Sequence, residues 1–149
     1  MKAVKGYTKS DYIAICKEEE GGEIFNFKSI DKAAEYIVKQ IENYDIDLPV
    51  AYDWEDWTNF NTYNVSFYEL TEIANAFMNE LEKSGYDSML YSSKNYLENI
   101  WLKTKHKTWL AHYTEKTNYT KDYLLWQLCE NGEIDGIDGS VDIDVMYLK

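Results

Sequence analysis

The stretch Pro49-Val50-Ala51-Tyr52-Asp53-Trp54-Glu55-Asp56 decides how the rest of the chain is read. Pro49 closes a loop, and Val50 to Asp53 has the composition of a short buried strand. On an extended backbone, residues two apart point to the same side. Asp53 and Glu55 therefore share one side, and Trp54 takes the other. The pair sits where a strand gives way to its loop. In parallel α/β barrels that rim is where sites are built.

Outward toward the C-terminus, a polar, aromatic stretch from Trp54 to Val65 leads to Ser66-Phe67-Tyr68-Glu69. That is a capping box, and it opens the clearest helix of the chain. Leu70, Ile73, Ala74, Phe77 and Leu81 form its apolar stripe, and Gly85 closes it. Ser88 to Tyr91 reads as a strand, 93–101 as a short helix, and Thr108 to Ala111 as another strand. Leu124 to Leu128 reads the same way. A Gly-rich turn from Asn131 to Gly139 leads to a last strand, Val141 to Met146. Toward the N-terminus, Ser29 caps a helix over 30–43, and Ile24 to Phe27 reads as a strand. A short helix is expected over 9–20. Strands alternate with helices at first, and then the helices thin out. The expected fold class is α/β, with a largely parallel sheet, closed or partly closed.

The chain has 149 residues, the size of one domain, and such a chain buries roughly 70% of its unfolded surface. Fourteen Tyr, five Trp and five Phe supply core material, so disorder is not expected. A net charge of −12 leaves no footprint for nucleic acid and would be repelled by an anionic membrane surface. No run is long and apolar enough for membrane insertion. The Met1 region has no apolar stretch after its lysines, so no signal peptide is read, and synthesis in the cytoplasm is expected. Cys16 and Cys129 have neither metal-ligand nor redox spacing; two buried thiols are expected, with no metal site and no disulfide framework.

Glycoside hydrolysis needs one carboxylic acid to protonate the leaving oxygen and one carboxylate to support an oxocarbenium-like transition state. Neighbouring carboxylates titrate apart, which suits that division. Asp53 and Glu55 fit it, directly after an apolar strand and among Tyr52, Trp54 and Trp57. A solvated acidic loop would carry the same residues. Val141-Asp142-Ile143-Asp144-Val145 is a second cluster, in which Asp142 and Asp144 share a face. Two exposed carboxylates on an edge strand are the other reading. His112 reads as a hydrogen-bonded structural residue, and His106, among lysines, as a surface residue. Ser92 and Ser93 lack the setting of a nucleophile elbow.

The run from Pro49 to Asp56 resembles the Asp-x-Glu strand of the family 25 glycoside hydrolases, the muramidases of phage endolysins and bacterial autolysins. The likeness continues through Ile73 to Phe77, Gly85 to Ser93, Trp109 to Tyr113, Trp126 to Leu128 and Gly136 to Asp144. It covers about 24–149, read as a partial catalytic domain, whereas 1–23 is poorly matched. The resemblance implies an irregular TIM-like β/α barrel with eight strands. It implies hydrolysis of the β-1,4 bond between N-acetylmuramic acid and N-acetylglucosamine in peptidoglycan, without cofactor, at a cell wall reached by phage-type release. By position, Glu55 resembles the proton donor, Asp53 the assisting carboxylate and Asp142 the carboxylate of the last strand. Tyr52, Trp54, Tyr91, Trp126, Gln127 and Asp144 are the implied substrate contacts. The family's opening Asp-Val-Ser strand has no counterpart here, so the barrel is expected to be incomplete at the N-terminus. Two further expectations follow: self-association to cover an open edge, and, as an alternative function, glycan binding without turnover.

Overall fold

The computed structural model describes residues 29–55, 60–61 and 63–147 with their side chains, and the backbone alone at 2–3, 14–16 and 25–26. Three short strands, β1 (Lys2–Ala3), β2 (Ala14–Cys16) and β3 (Phe25–Asn26), form an antiparallel sheet in that order. The helix expected over 9–20 gives way to extended backbone at β2, and its other residues lie outside those described.

The main body follows. Helix α1 (Ile30–Ile41) starts at Ser29, whose side chain accepts from the Lys32 backbone N–H. Strand β4 (Val50–Asp53) leads to helix α2 (Phe67–Lys83), and β5 (Ser88–Ser93) runs directly into helix α3 (Lys94–Asn99). Strands β6 (Lys107–Ala111), β7 (Leu125–Gly132) and β8 (Val141–Met146) complete the chain. The five strands form one sheet in sequence order, β4-β5-β6-β7-β8, curled into half a barrel. Strands β4 to β7 are parallel, and β8 is antiparallel to β7. The sheet is largely parallel, as expected, with an antiparallel last strand. A connection of only eight residues, 133–140, joins β7 to β8, and a parallel return needs a dozen or more. Gly136 and Gly139 hold the positive φ angles of 89° and 98° that turn it back.

The sheet has two faces, set by alternation and locked by register. Tyr52 pairs with Leu90, Leu90 with Thr108, Ser92 with Leu110, and Leu110 with Trp126. Tyr52, Leu90, Leu110 and Trp126 are buried in a core completed by Leu70, Phe77, Met78 and Leu81 of α2. Each such side chain contributes about 1.5–3 kcal/mol. Ser92 is buried on this face too, and its Oγ accepts from Trp101 Nε1 at 2.9 Å. The other face carries Asp53, Tyr91, Trp109, Ala111, Gln127 and Asp144.

Two local features hold the frame. Ser66 and Glu69 form the capping box at the head of α2: Glu69 N donates to Ser66 Oγ at 3.1 Å, and Ser66 N to Glu69 Oε2 at 2.9 Å. At β7, a Cβ on Gly132 would stand 2.3 Å from Ile143 Cγ1, so only glycine lets β8 pair so closely.

His106 departs from its expected surface position. It precedes β6 with the parity of Thr108 and Leu110, so it faces the helices and is only 7% exposed. Its Nδ1 lies 2.7 Å from Glu82 Oε1 at the end of α2 and 3.0 Å from Ser88 Oγ at the start of β5. Burial alone would raise the Glu82 carboxyl; hydrogen bonds from His106 and Ser88 and nearby positive charge outweigh it and hold it below its ordinary 4.5.

Leu110→Ala should cost about 2–5 kcal/mol, because its site is fully enclosed. Ser66→Ala should cost about 1 kcal/mol. Urea unfolding of both variants checks the order; equal losses would contradict the arrangement.

Candidate active site

The inner face gathers its polar side chains toward the C-terminal ends of β4 to β6, beside the first residues of β7. Register sets the first row, Asp53 beside Tyr91, Tyr91 beside Trp109 and Trp109 beside Leu125. One step further lies a second row, Ser93, Ala111, Gln127 and Asp144. Glu55 follows β4 with the parity of Asp53 and is exposed. It lines a cavity of about 370 Å³ together with Tyr91, Lys94, His112 and Tyr113.

Hydrogen bonds tie the rows together. Gln127 is 3% exposed, and its Oε1 accepts from Tyr91 OH at 2.8 Å and from Tyr113 OH at 3.0 Å. One amide oxygen thus fixes two phenols from different strands. Burial is the largest cause that raises the Tyr91 hydroxyl well above its ordinary 10. The hydrogen bond and charge of Tyr113 add to it, as do the charges of Glu55 and Asp53. Tyr91 therefore stays protonated, with its one hydrogen given to Gln127. Burial likewise raises Tyr113, with a hydrogen bond from Tyr91 opposing and Glu130 and Asp142 adding to the rise. The Trp109 ring meets Tyr91 edge to face, with centroids 5.0 Å apart, and its Nε1 donates to Asp144 Oδ1 at 2.6 Å.

Of the residues singled out in the sequence, Asp53, Glu55, Tyr91, Gln127, Asp142 and Asp144 belong to this face or its rim. Tyr52, Trp54 and Trp126 do not. Tyr52 packs on Phe77 and Trp101, and Trp54 on Phe60 and Tyr63. Trp126 is buried in the same core, with its Nε1 donating to His112 O at 2.9 Å. The physical reason is alternation: each neighbours an inward residue and so faces the helices. Sequence reading missed Trp109 and Tyr113 as site residues. Trp109 lies two residues before Ala111 on the same face, a signal that parity alone would have given. Tyr113 follows β6 with the same parity, two residues after Ala111, so the same signal extends to it. His112 is hydrogen-bonded as expected, with Nδ1 2.8 Å from Thr117 Oγ1. Asp56 and Trp57 lie outside the described residues. Cys129 is a half-buried thiol on β7. No group of three or more His, Cys, Asp or Glu side chains is placed to hold a metal among the described residues.

A curled α/β half-barrel with carboxylates, phenols and an indole at its C-terminal rim defines a class: barrels that carry acid–base chemistry at their strand ends. The chain belongs to the glycosyl hydrolases family 25, whose model matches residues 23–137. Its fold is the irregular TIM-like barrel of that family in partial form. It resembles a family 25 glycosyl hydrolase from Bacillus anthracis at 20% identity, covering 81% of this chain and 59% of that one, with a TM-score of 0.65. It resembles GHIP, a glycosyl hydrolase 25 of Streptococcus pneumoniae, at 23% identity, covering 79% and 52%, with a TM-score of 0.62. The CTP1L endolysin matches at 22% identity, covering 81% and 44%, with a TM-score of 0.58. The chain spans about half the length of these structures. No curated protein matches its sequence.

Partial desolvation holds the Asp144 carboxyl above its ordinary 3.8; the Trp109 hydrogen bond opposes the rise and the Asp142 charge adds to it. The folded chain thus keeps this proton to higher pH than the unfolded chain. The stability tied to it is full below pH 3.8 and is lost as pH rises through the folded value. Asp144→Asn removes that loss. Between about pH 3 and pH 6 the wild type should lose ground against the variant, by thermal unfolding. A difference constant with pH would contradict the assignment.

Proposed function

We propose that this chain is a cell-wall lytic glycoside hydrolase, an N-acetylmuramidase that cleaves the β-1,4 bond between N-acetylmuramic acid and N-acetylglucosamine in peptidoglycan. The observation that carries the reading is the pairing of Asp53 and Glu55 at the inner end of β4, with Glu55 opening into a cavity lined by Tyr91 and Tyr113. Family membership supports the same chemistry.

In this reading Glu55 donates a proton to the glycosidic oxygen as the bond to the anomeric carbon breaks, and water then bonds to that carbon and gives a proton back to the Glu55 carboxylate. Its exposure suits a group that must meet a polymer from solvent and be reprotonated between turnovers. Asp53, half-buried beside Tyr91, stays in place as positive charge develops on the sugar ring. It holds the substrate's N-acetyl group or supports the intermediate. Asp142, which acts electrostatically on both Tyr113 and Asp144, supplies further negative charge at the β8 side. Tyr91 donates to Gln127, which fixes its ring beside the carboxylates and is a positioning residue; toward a sugar hydroxyl the phenol oxygen accepts. Trp109 and Tyr113 offer rings for the apolar faces of sugars, with Tyr113 half exposed. The partners are glycan strands of the bacterial wall. No helix among the described residues is long and apolar enough to cross a membrane, and the strongly acidic chain suits neither nucleic acid nor an anionic surface.

The test is release of reducing ends from purified peptidoglycan. The chain should release them, and Glu55→Gln should reduce the rate roughly 10²–10⁴-fold while circular dichroism stays unchanged. A folded chain that releases nothing, yet sediments with peptidoglycan, would replace this reading with glycan binding without turnover.

A further inference from the structure

Trp109 stands on β6 and Asp144 on β8, yet Trp109 Nε1 donates to Asp144 Oδ1 at 2.6 Å. Strand β7 lies between them. We propose, on the muramidase reading above, that the Trp109 indole is the floor of a sugar subsite beside the carboxylate pair, and that Asp144 is the residue that positions it.

Three observations meet at this ring. The first is reach. Neighbouring strands are about 4.8 Å apart, so β6 and β8 are separated by roughly 10 Å. Side chains usually stand perpendicular to a sheet, and one that does so cannot reach the second strand over. The indole must therefore lean across β7. On that face of β7, Leu125 and Gln127 are both buried.

The second is fixation. Tyr91, from β5, meets the indole at 73° with centroids 5.0 Å apart, and Asp144 holds it from the β8 side. Tyr91 is itself held by Gln127. The ring is set before any ligand arrives, and a ring already set loses little freedom on binding.

The third is what remains for a ligand. Trp109 is only partly buried, and Asp144 is exposed. A carboxylate has about four lone-pair sites, and the indole uses one. A pyranose suits this pair: its apolar C–H face covers the ring, and a hydroxyl on its rim donates to Asp144. A wholly apolar ligand would strip water from the carboxylate and give nothing back. An anionic one would be repelled by Asp142 and Asp144. Tyr91 also lines the cavity that Glu55 opens into, so a sugar on Trp109 is a near neighbour of the acid.

The measurement is ¹⁵N NMR of the full chain carrying Glu55→Gln, so that glycan is bound and not cut. The indoles are labelled, and Trp109→Phe assigns the signal. The probe is a soluble strand of alternating N-acetylglucosamine and N-acetylmuramic acid, freed of its peptides. A saturable shift of the Trp109 Nε1–H is expected. Trp109→Ala should weaken binding about tenfold. Asp144→Leu keeps the volume but offers no acceptor, and should weaken it about three- to tenfold. Asp144→Asn still presents an amide oxygen to the indole and should recover most of that loss. With Glu55 intact, the same changes should raise KM and leave kcat within about twofold. A Trp109 signal that glycan does not move would overturn the proposal, whether or not the Asp144 variants fold. Equal losses in Asp144→Asn and Asp144→Leu would overturn the positioning role. Release of reducing ends with Trp109 unmoved would sink the subsite alone. A shift without release would sink turnover and leave the subsite standing.

Discussion

The structure depends on burying one face of the five-stranded sheet against α2. Tyr52, Leu90, Leu110 and Trp126 must leave water, and the only way to do so is to face the helix layer. A strand alternates strictly, so that requirement also decides which residues cannot be buried there. Asp53, Tyr91, Trp109, Gln127 and Asp144 are turned inward by the burial of their neighbours, not by any force of their own. A slip of one residue in β4 would drive Asp53 into the core and Tyr52 into the site. The energy of the core, several kcal/mol per strand, is what fixes the register of the carboxylates.

The same logic separates what the sequence discloses from what it does not. Ser29, the Ser66–Glu69 box and Gly85 mark helix ends through local hydrogen bonds and backbone freedom, and local causes are written in local sequence. Strand β4 was legible to its ends for a similar reason, bounded by Pro49 and an acidic loop. The faces were half legible. Parity put Asp53 with Glu55, yet applied consistently it removes Tyr52 and Trp54 from the cleft, since they alternate with that pair. Composition pulled the other way, because aromatic rings suit both cores and sugars. His106 was misread because its neighbours Lys105 and Lys107 are exposed. Its burial depends on Glu82 and Ser88, which come from two other elements and leave no trace at His106 itself. The direction of β8 was in principle readable from the eight-residue turn before it.

The charges are distributed unevenly along the strands. Carboxylates gather at the C-terminal rim and on β8, beside Lys94, while Lys103, Lys105, Lys107 and Lys121 stand toward the N-terminal pole among Glu82, Asp87 and Asp122. The acidic end can hold Asp53 and Glu55 together on one side, and Asp142 and Asp144 on the other, because the rim is open to water, because an indole donates to Asp144 and because two phenols fixed on Gln127 stand between them. Had the same groups been enclosed, the cost of desolvating several like charges would have exceeded what those donors return.

Strand β8 shows how one set of residues answers two demands. Among the described residues it pairs only with β7, so its outer edge is open, and Val145 and Met146 are more than a third exposed. An open, apolar edge invites pairing with another chain, and proteins commonly blunt it with charge on the strand. Asp142 and Asp144 do that while facing the side on which Gln127 and Tyr113 lie. The two readings of these carboxylates, edge protection and site chemistry, are therefore not rivals. Charge on the inward face of an edge strand repels a second such edge, and it also leaves negative charge beside the cleft. A half-barrel can keep its rim in order because register ties β4 to β5, β5 to β6 and β6 to β7, and the side-chain bonds of the rim reach only one strand further, from Tyr91 to Gln127 and from Trp109 to Asp144. Closure of the barrel would protect edges; the geometry of the rim needs only that these neighbours hold their register.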